Sequence, residues 1–249
     1  MPGKTVDVTT ADGVADAYLA RPEGDGPFPA VLFYMDAFGL RPHLTAMADR
    51  LAASGYVVLV PNVFYRAGRT PLFDLPDFID ADSRPALFEK IMPIMQSLTP
   101  SGLMSDASAY LRHLADSPLT ADGPVGVTGY CMGAGIALRT AGTYPDRVAA
   151  AAGFHAANLA SEAPDSPHLL AGNVTAELYF AHADQDAAMP VEQIDRLEKA
   201  LTEAGVTHRC EVYEGAHHGY TQSDTSAYNE EAAERHWAEL LALFSRTLS

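Results

Sequence analysis

The chain has 249 residues, of which 48% are hydrophobic and 19% are charged, and its formal net charge at pH 7 is −16. One α/β domain can use this whole length for a large core, so we expect a single domain over residues 1–249. The acidic excess disfavours nucleic acid and anionic membranes as partners. The sequence contains no apolar signal segment and no membrane-spanning apolar run, and its two cysteines do not indicate a disulfide framework. We therefore expect a cytoplasmic protein.

The chain begins with two strand-like stretches, 5–9 and 14–20. They are joined at Asp12-Gly13, a pair that favours a hairpin turn. A loop rich in proline and glycine, 21–29, leads to a continuous apolar run at 30–34. Such a run is typical of a strand that is buried on both faces.

The next elements are a helix over 42–54, which we expect to end at Gly55, and a buried strand over 56–60. Residues 61–100 are less regular because six prolines interrupt them. We interpret this stretch as a loop with short helices that forms one wall of a pocket.

Helices and strands alternate through the rest of the chain. The predicted elements, in order, are a helix at 101–114, a strand at 125–129, a helix at 131–143, strands at 147–153 and 175–181, a helix at 191–204, a strand at 207–213 and a closing helix within 226–248. This alternation implies right-handed crossovers. The predicted fold is therefore α/β, with a mostly parallel central sheet flanked by helices.

The segment Gly129-Tyr130-Cys131-Met132-Gly133 lies between a predicted strand and a predicted helix. This is the nucleophile-elbow pattern, with cysteine in the place that serine usually takes. The sharp turn lifts the middle side chain clear of the sheet, and glycines are needed two positions away on each side. The N–H of Met132 would lie at a helix N-terminus, which favours negative charge. The segment would thus supply a nucleophile and half of an oxyanion hole.

A thiol nucleophile needs a base, and the base needs an orienting acid. Candidate acids, Asp184 and Asp186, follow the strand at 175–181, and candidate bases, His217 and His218, follow the last predicted strand. The order nucleophile, acid, histidine is that of the α/β hydrolases. These groups would meet at the carboxyl ends of the strands, where such sheets bind ligands.

The chain resembles the dienelactone hydrolase family in three segments: Gly-Tyr-Cys-Met-Gly at 129–133, Asp-Ala-Ala-Met-Pro at 186–190 and Ala-His-His-Gly-Tyr at 216–220. The resemblance implies an α/β-hydrolase fold and a triad that cleaves lactones or esters. By position, the triad is Cys131, Asp186 and His218. Asp186 is preferred because the family's acid stands four residues before a proline. His218 is preferred because the family's base directly precedes a small residue and an aromatic residue.

The resemblance also assigns roles to the segment after the strand at 30–34. A carboxylate there poises the thiol, and the next backbone N–H completes the oxyanion hole; these places are held by Asp36 and Ala37. Family members bind a substrate carboxylate with arginines, one of which lies four residues after the catalytic histidine. Gln222 occupies that place. Because glutamine cannot form the bidentate fork of a guanidinium, dienelactone is not expected to be the preferred substrate.

The remaining candidates for substrate binding are Tyr65, Arg66, Arg84, Tyr130, His155 and Tyr220. Each has a structural alternative, as a surface ion pair for the arginines and as pocket wall or core for the others. Cys210 lies within a predicted strand and is interpreted as a core residue. His182, Asp184 and Asp186 could form a metal site, but no further ligands lie nearby, so we expect neither a metal nor a cofactor.

Two other functions fit parts of this chain. Thr128-Gly-Tyr-Cys-Met-Gly133-Ala-Gly135 also matches the glycine pattern of short-chain dehydrogenases, but the characteristic Tyr-x-x-x-Lys pair is absent. A non-catalytic binding or thiol-sensor protein could use the same scaffold. The hydrolase remains the prediction, with a small ester or lactone as its partner and an oligomeric state that the sequence leaves open.

Overall fold

The computed structural model describes residues 3–248. Contacts within the chain group these residues into two compact units. The first unit runs up to Asp122 and also includes Asp224–Ser226, and the second runs over Gly123–Ser223 and from Ala227 onward. The single domain over 1–249 stays a prediction. Strands alternate with helices in both units, so the predicted α/β class is confirmed.

The first unit contains four strands in the spatial order β1-β2-β4-β3. Their bounds are β1 Lys4–Thr10, β2 Gly13–Ala20, β3 Ala30–Tyr34 and β4 Val57–Pro61. The predicted hairpin is present, and Thr10 pairs with Gly13 across its turn. Strand β2 pairs antiparallel with β4, whereas β3 and β4 are parallel. Every residue of β3 and β4 is buried, as their continuous apolar runs predict.

The helices of the first unit are α1 Pro42–Ala53, α2 Arg84–Ser97 and α3 Pro100–Ala115. Helix α1 ends as predicted, with Gly55 at a φ of 103° just beyond it. The prediction of short helices within 61–100 is wrong for its second half, because α2 is 14 residues long. The density of prolines concealed this helix: Pro85 fits its first turn, and α2 accommodates Pro93 in its interior.

The second unit contains four parallel strands in the order β5-β6-β7-β8. These are β5 Val125–Tyr130, β6 Val148–Phe154, β7 Glu177–Ala183 and β8 His208–Tyr213. Its helices are α4 Met132–Thr143, α5 Val191–Glu203 and α6 Glu230–Thr247. Helix α6 begins only at Glu230 because the side chain of Asn229 caps it, accepting a hydrogen bond from the N–H of Ala232 at 3.1 Å.

The parallel strands of the second unit position the candidate site. The loops that follow β5, β6, β7 and β8 all leave from one edge of the sheet, which is where α/β proteins bind ligands. Among residues 3–248, no helix is both long enough and apolar enough to cross a membrane.

Candidate active site

Cys131 lies in the turn between β5 and α4 and has a strained backbone. Its φ of 55° and ψ of −118° are rare for a residue with a side chain. Such a conformation costs about 1–3 kcal/mol and persists only where the surroundings hold it. Here the N–H of Cys131 donates to the carbonyl of Phe154 at the end of β6, at 3.1 Å. The turn therefore presents the thiol in a fixed place, with 7% of the residue exposed.

Gly129 makes this turn sterically possible. A Cβ atom at this position would lie 2.1 Å from the carbonyl oxygen of Gly133 and 2.7 Å from the nitrogen of Ala134. Both are backbone atoms of the turn and of α4, which cannot move aside independently. The close approach of strand and helix at the elbow therefore requires glycine at position 129.

The structure brings three of the predicted residues into one hydrogen-bonded chain. His218 Nε2 lies 3.1 Å from Cys131 Sγ, and His218 Nδ1 lies 2.6 Å from Asp186 Oδ2. The other carboxylate oxygen, Oδ1, accepts from the N–H of Ala188 at 2.8 Å. Both oxygens of Asp186 are thus occupied, and its side chain is only 4% exposed. This arrangement fixes the imidazole ring between an acid and a thiol.

The surroundings of His218 shift the pKa of its imidazole ring. Burial alone would lower the pKa of His218, but the Cys131 sulfur and the Asp186 carboxylate both favour the protonated ring. Their combined effect raises the pKa of His218 from its usual 6.5 to about 10. The ring is therefore poised to take up a proton on Nε2, the nitrogen that faces the sulfur.

His155 packs against the ring of His218. It follows β6 with a φ of 37°, is fully buried, and hydrogen-bonds through Nε2 to Thr221 Oγ1 at 2.8 Å. Its ring meets His218 edge-on with centroids 5.3 Å apart, and meets Tyr220 at 5.0 Å. Thr221 was not predicted, because no sequence motif links it to His155. A substrate contact for His155 stays a prediction.

Tyr130 and Tyr220 are fully buried, and their hydroxyl groups are bonded inside the second unit. The Tyr130 hydroxyl lies 3.0 Å from Nε2 of His236 on α6, and the Tyr220 hydroxyl donates to the carbonyl of Ala181 at 3.1 Å. The structure therefore places both rings in the packing of this unit. Their predicted contact with substrate stays a prediction.

Asp184 and His217, the alternative acid and base, lie outside the hydrogen-bonded chain of Asp186, His218 and Cys131. Asp184 Oδ2 accepts from the N–H of Gly215 at 3.0 Å, and the N–H of Asp184 donates to the carbonyl of Ala216 at 2.7 Å. Asp184 thus ties the loop after β7 to the loop after β8. His217 is exposed, and it is His218 that hydrogen-bonds to Cys131.

Asp36 follows β3 in the first unit and is fully buried. Its Oδ1 accepts from the N–H of Phe38 at 2.9 Å and from Arg41 at 2.8 Å. Arg41 also holds Asp224 with two hydrogen bonds, of 2.5 and 3.1 Å. Burial alone would lower the pKa of Arg41, but the two carboxylates raise it above its usual value. The roles predicted for Asp36 and for the N–H of Ala37 stay predictions.

Tyr65 and Arg66 belong to a polar cluster of the first unit. The Tyr65 hydroxyl donates to Asp106 at 2.9 Å and shares a hydrogen bond of 2.8 Å with Thr10. Arg66 forms ion pairs with Asp106 at 2.7 Å and with Asp12 at 2.5 Å. These carboxylates occupy the donors that a substrate carboxylate would need.

Arg84 differs from Arg66 in that, within residues 3–248, its guanidinium forms no ion pair. It lies over the rings of Phe38 and Phe88 at 5.9 and 5.6 Å. Of the two arginines predicted to bind substrate, only Arg84 therefore has donors available.

The residues of the alternative metal site are engaged separately. His182 is fully buried, and burial lowers its pKa to about 4. Asp184 and Asp186 bond to backbone and to His218, as described above. Within the described part of the chain, no group of three or more histidine, cysteine or acidic side chains is arranged to hold a metal ion. The second cysteine, Cys210, is half-buried, and burial raises the pKa of its thiol.

An α/β fold with a strained cysteine between a strand and a helix places this chain among the α/β hydrolases. The comparisons with known proteins specify the group further. The model of the dienelactone hydrolase family matches residues 15–248, so the chain belongs to the dienelactone hydrolase family. This membership confirms the predicted hydrolase and favours it over the short-chain dehydrogenase.

Individual relatives agree with this assignment. A Synechocystis sp. protein provisionally named carboxymethylenebutenolidase is 27% identical over 237 residues, covering 93% of this chain and 91% of the relative. The carboxymethylenebutenolidase of Rhodococcus opacus is 26% identical over 235 residues, covering 93% and 86%. A Klebsiella pneumoniae structure provisionally named dienelactone hydrolase has a TM-score of 0.84 at 23% identity, covering 98% of each chain. This last likeness concerns the fold.

Proposed function

We propose that this protein hydrolyses a lactone or carboxylic ester through a covalent thioester on Cys131. The observation that carries the proposal is the hydrogen-bonded chain from Asp186 through His218 to Cys131, with its distances of 2.6 and 3.1 Å. Family membership and the name of the Rhodococcus relative support the hydrolase part of the proposal. Asp186 holds the ring in the tautomer that carries the Nδ1 proton, which leaves Nε2 to serve the sulfur.

The first half of the reaction forms the thioester. The raised pKa of His218 favours transfer of the thiol proton to Nε2, which leaves a nucleophilic thiolate. The sulfur attacks the carbonyl carbon, and the carbonyl π electrons move onto oxygen. When the C–O bond to the alcohol breaks, Nε2 gives its proton to the departing oxygen. The acyl group then remains on Cys131.

The second half releases the acid. Nε2 takes a proton from a water molecule, and the resulting hydroxide attacks the thioester carbonyl. The C–S bond breaks, the carboxylic acid leaves, and the proton on Nε2 returns to the sulfur. In both halves the negative carbonyl oxygen is stabilised by the N–H of Met132, because the first N–H groups of α4 have no partner within the helix. Loss of one such donor commonly costs about 3 kcal/mol of transition-state stabilisation.

We propose further that dienelactone is not the preferred substrate. Gln222 stands where the resemblance places a carboxylate-binding arginine, and Arg66 is held by Asp12 and Asp106. Esters without a carboxylate should therefore have a kcat/KM at least as high as that of dienelactone. Arg84→Gln tests the opposite case, in which Arg84 binds the carboxylate of dienelactone and its replacement lowers kcat/KM for that substrate.

The experiment compares Cys131→Ala with a matched control, Cys210→Ala, in hydrolysis of 4-nitrophenyl acetate and dienelactone. We expect Cys131→Ala to lose at least about 1,000-fold in kcat, since removal of a nucleophile leaves only binding and oxyanion stabilisation. Cys210→Ala should retain activity. Circular dichroism and melting curves of both variants show whether they fold. Activity retained in folded Cys131→Ala would overturn the assignment.

Mass spectrometry during turnover of a slow ester tests the intermediate itself. The wild-type chain should gain the mass of the acyl group on Cys131 and then lose it as acid is released. A thiol that is acylated once, with no further turnover, would favour the sensor alternative over the enzyme.

A further inference from the structure

The first unit contains a cavity of about 730 Å³, a volume within the range of small-molecule sites. All of its lining residues belong to this unit. They come mainly from residues 38–41 after β3 and from residues 62–75 after β4, and β2 adds Asp16 and Tyr18. Because β3 and β4 are parallel, these two loops leave from the same edge of the sheet, where ligands commonly bind.

The buried charged groups in the cavity wall are already paired or hydrogen-bonded within the protein. Arg41 is paired with Asp36 and Asp224, as described above. The Asp16 carboxylate accepts from the side chain of Asn62 at 3.0 Å and from the N–H of Thr70 at 2.9 Å. Burial would raise the pKa of Asp16, but these hydrogen bonds lower it. An anionic ligand would therefore lose its hydration without gaining a free cationic partner in the buried part of the wall.

Aromatic and aliphatic side chains form much of the rest of the wall. Phe64 and Phe73 meet edge-on, with centroids 6.4 Å apart and an angle of 79° between their rings. Phe38 and Phe64 are buried in the protein, which holds them in place. Leu72 and Phe73 are half-buried, so a ligand would cover apolar surface that water now contacts. Edge-on aromatic walls suit another ring because offset and edge-to-face contacts are favourable.

We propose that this cavity is a binding site for an uncharged, largely apolar organic molecule that carries an aromatic ring or a branched aliphatic group. The buried part of the wall offers no free cation to an anion, and the phenylalanine and leucine surfaces supply the attraction. The proposal does not depend on hydrolysis at Cys131, because binding is measured without turnover.

Two fluorescent probes that share the same ring system test the charge preference. N-phenyl-1-naphthylamine is uncharged, and 8-anilino-1-naphthalenesulfonate adds an anionic sulfonate. We expect saturable binding of the uncharged probe at one site per chain, and binding of the sulfonate at least about tenfold weaker because its charge finds no free partner. Absence of saturable binding of the uncharged probe, or equal affinity for the two, would overturn the proposal.

Leu72→Asp places a carboxylate in the cavity, and Leu169→Asp makes the same change at a leucine of the second unit that is 58% exposed. The first change should weaken the uncharged probe by about tenfold or more, and the second should leave its affinity unchanged. Leu75→Asp repeats the test at a second lining residue if Leu72→Asp does not fold. Unchanged affinity in a folded cavity variant would place the probe elsewhere and refute the site.

Discussion

A single oxygen of Asp186 decides how His218 is oriented, so this residue provides a sharp test of the triad. In Asp186→Asn the single amide oxygen keeps the hydrogen bond from the N–H of Ala188, so the NH2 group, which is a donor, faces Nδ1 and the ring loses its preferred tautomer. We expect kcat to fall by about 10,000-fold. We also expect the pKa of His218 to fall, because one of the groups that raise it has been neutralised.

The control for this change is Asp184→Asn, which alters a neighbouring acid that bonds to backbone at Gly215. Rates of ester hydrolysis from pH 5 to pH 10 compare the two variants. Only Asp186→Asn should move the pH dependence of kcat. Equal effects of the two substitutions would mean that Asp186 has no special role.

At the residue scale, the sequence predicted those side chains that follow a pattern. Cys131 has glycines on both sides, and Asp186 and His218 each follow a strand. The pair of Arg41 and Asp224 could not be predicted, because these residues are 183 positions apart and share no motif. The same applies to His155 and Thr221, which are 66 positions apart.

The elbow between β5 and α4 is the element on which the site depends most directly. Gly129→Ala would drive a Cβ into the backbone of Gly133, so we expect a loss of at least about 3 kcal/mol in unfolding free energy, or failure to fold. Urea denaturation measures the change.

Gly135→Ala is the matched control within α4. Its added Cβ would meet only Pro167 and Leu159, at 3.8 and 3.9 Å, which are ordinary contacts. Because alanine favours a helix interior over glycine, this variant should gain roughly 0.5–1 kcal/mol. Similar destabilisation of both variants would show that close approach at position 129 is not the cause.

Most elements were predicted to within a few residues because their apolar runs are long and are separated by glycine or proline. Helix α2 was missed for a physical reason. Its apolar pattern is weak, with only Leu87 and Ile91 buried, and its inner proline is a signal that normally ends a helix. The helix therefore forms over 84–97 although neither its periodicity nor its proline content indicates it.

For the whole molecule, two histidines with shifted pKa values make the free energy of unfolding depend on pH in opposite directions. His182 has a pKa of about 4 in the folded chain, below its usual 6.5, because burial disfavours its charged form. Its contribution to the free energy of unfolding is fully present above pH 6.5 and is lost as the pH falls towards 4. His218 has a raised pKa, so its contribution is present below pH 6.5 and is lost as the pH rises towards 10.

Urea unfolding at several pH values tests the contribution of His182 at acidic pH. Within residues 3–248, neither ring nitrogen of His182 has a hydrogen-bond partner, so His182→Leu removes a titrating group without breaking a hydrogen bond. We expect the wild type to lose about 3 kcal/mol more than this variant between pH 7 and pH 4. Parallel losses in the two proteins would mean that His182 does not titrate in this range.

The fold class and the family of the molecule could be predicted from the order of its elements and three short segments. The grouping of contacts into two units could not, because no linker or shift in composition marks residue 122. Pairings between residues far apart in the chain decide such a grouping, and hydrophobic periodicity reports only on neighbours.

Residues 224–226 complete the first unit, although about a hundred residues of the second unit precede them along the chain. Translation therefore produces most of the second unit before it adds Asp224, whose carboxylate completes the ion pairing of Arg41. Until then the guanidinium has Asp36 as its remaining acidic partner. Synthesis from the N-terminus thus cannot complete the first unit until most of the second has been made, and a chain released before Asp224 would leave Arg41 incompletely paired and the chain open to chaperones and proteases.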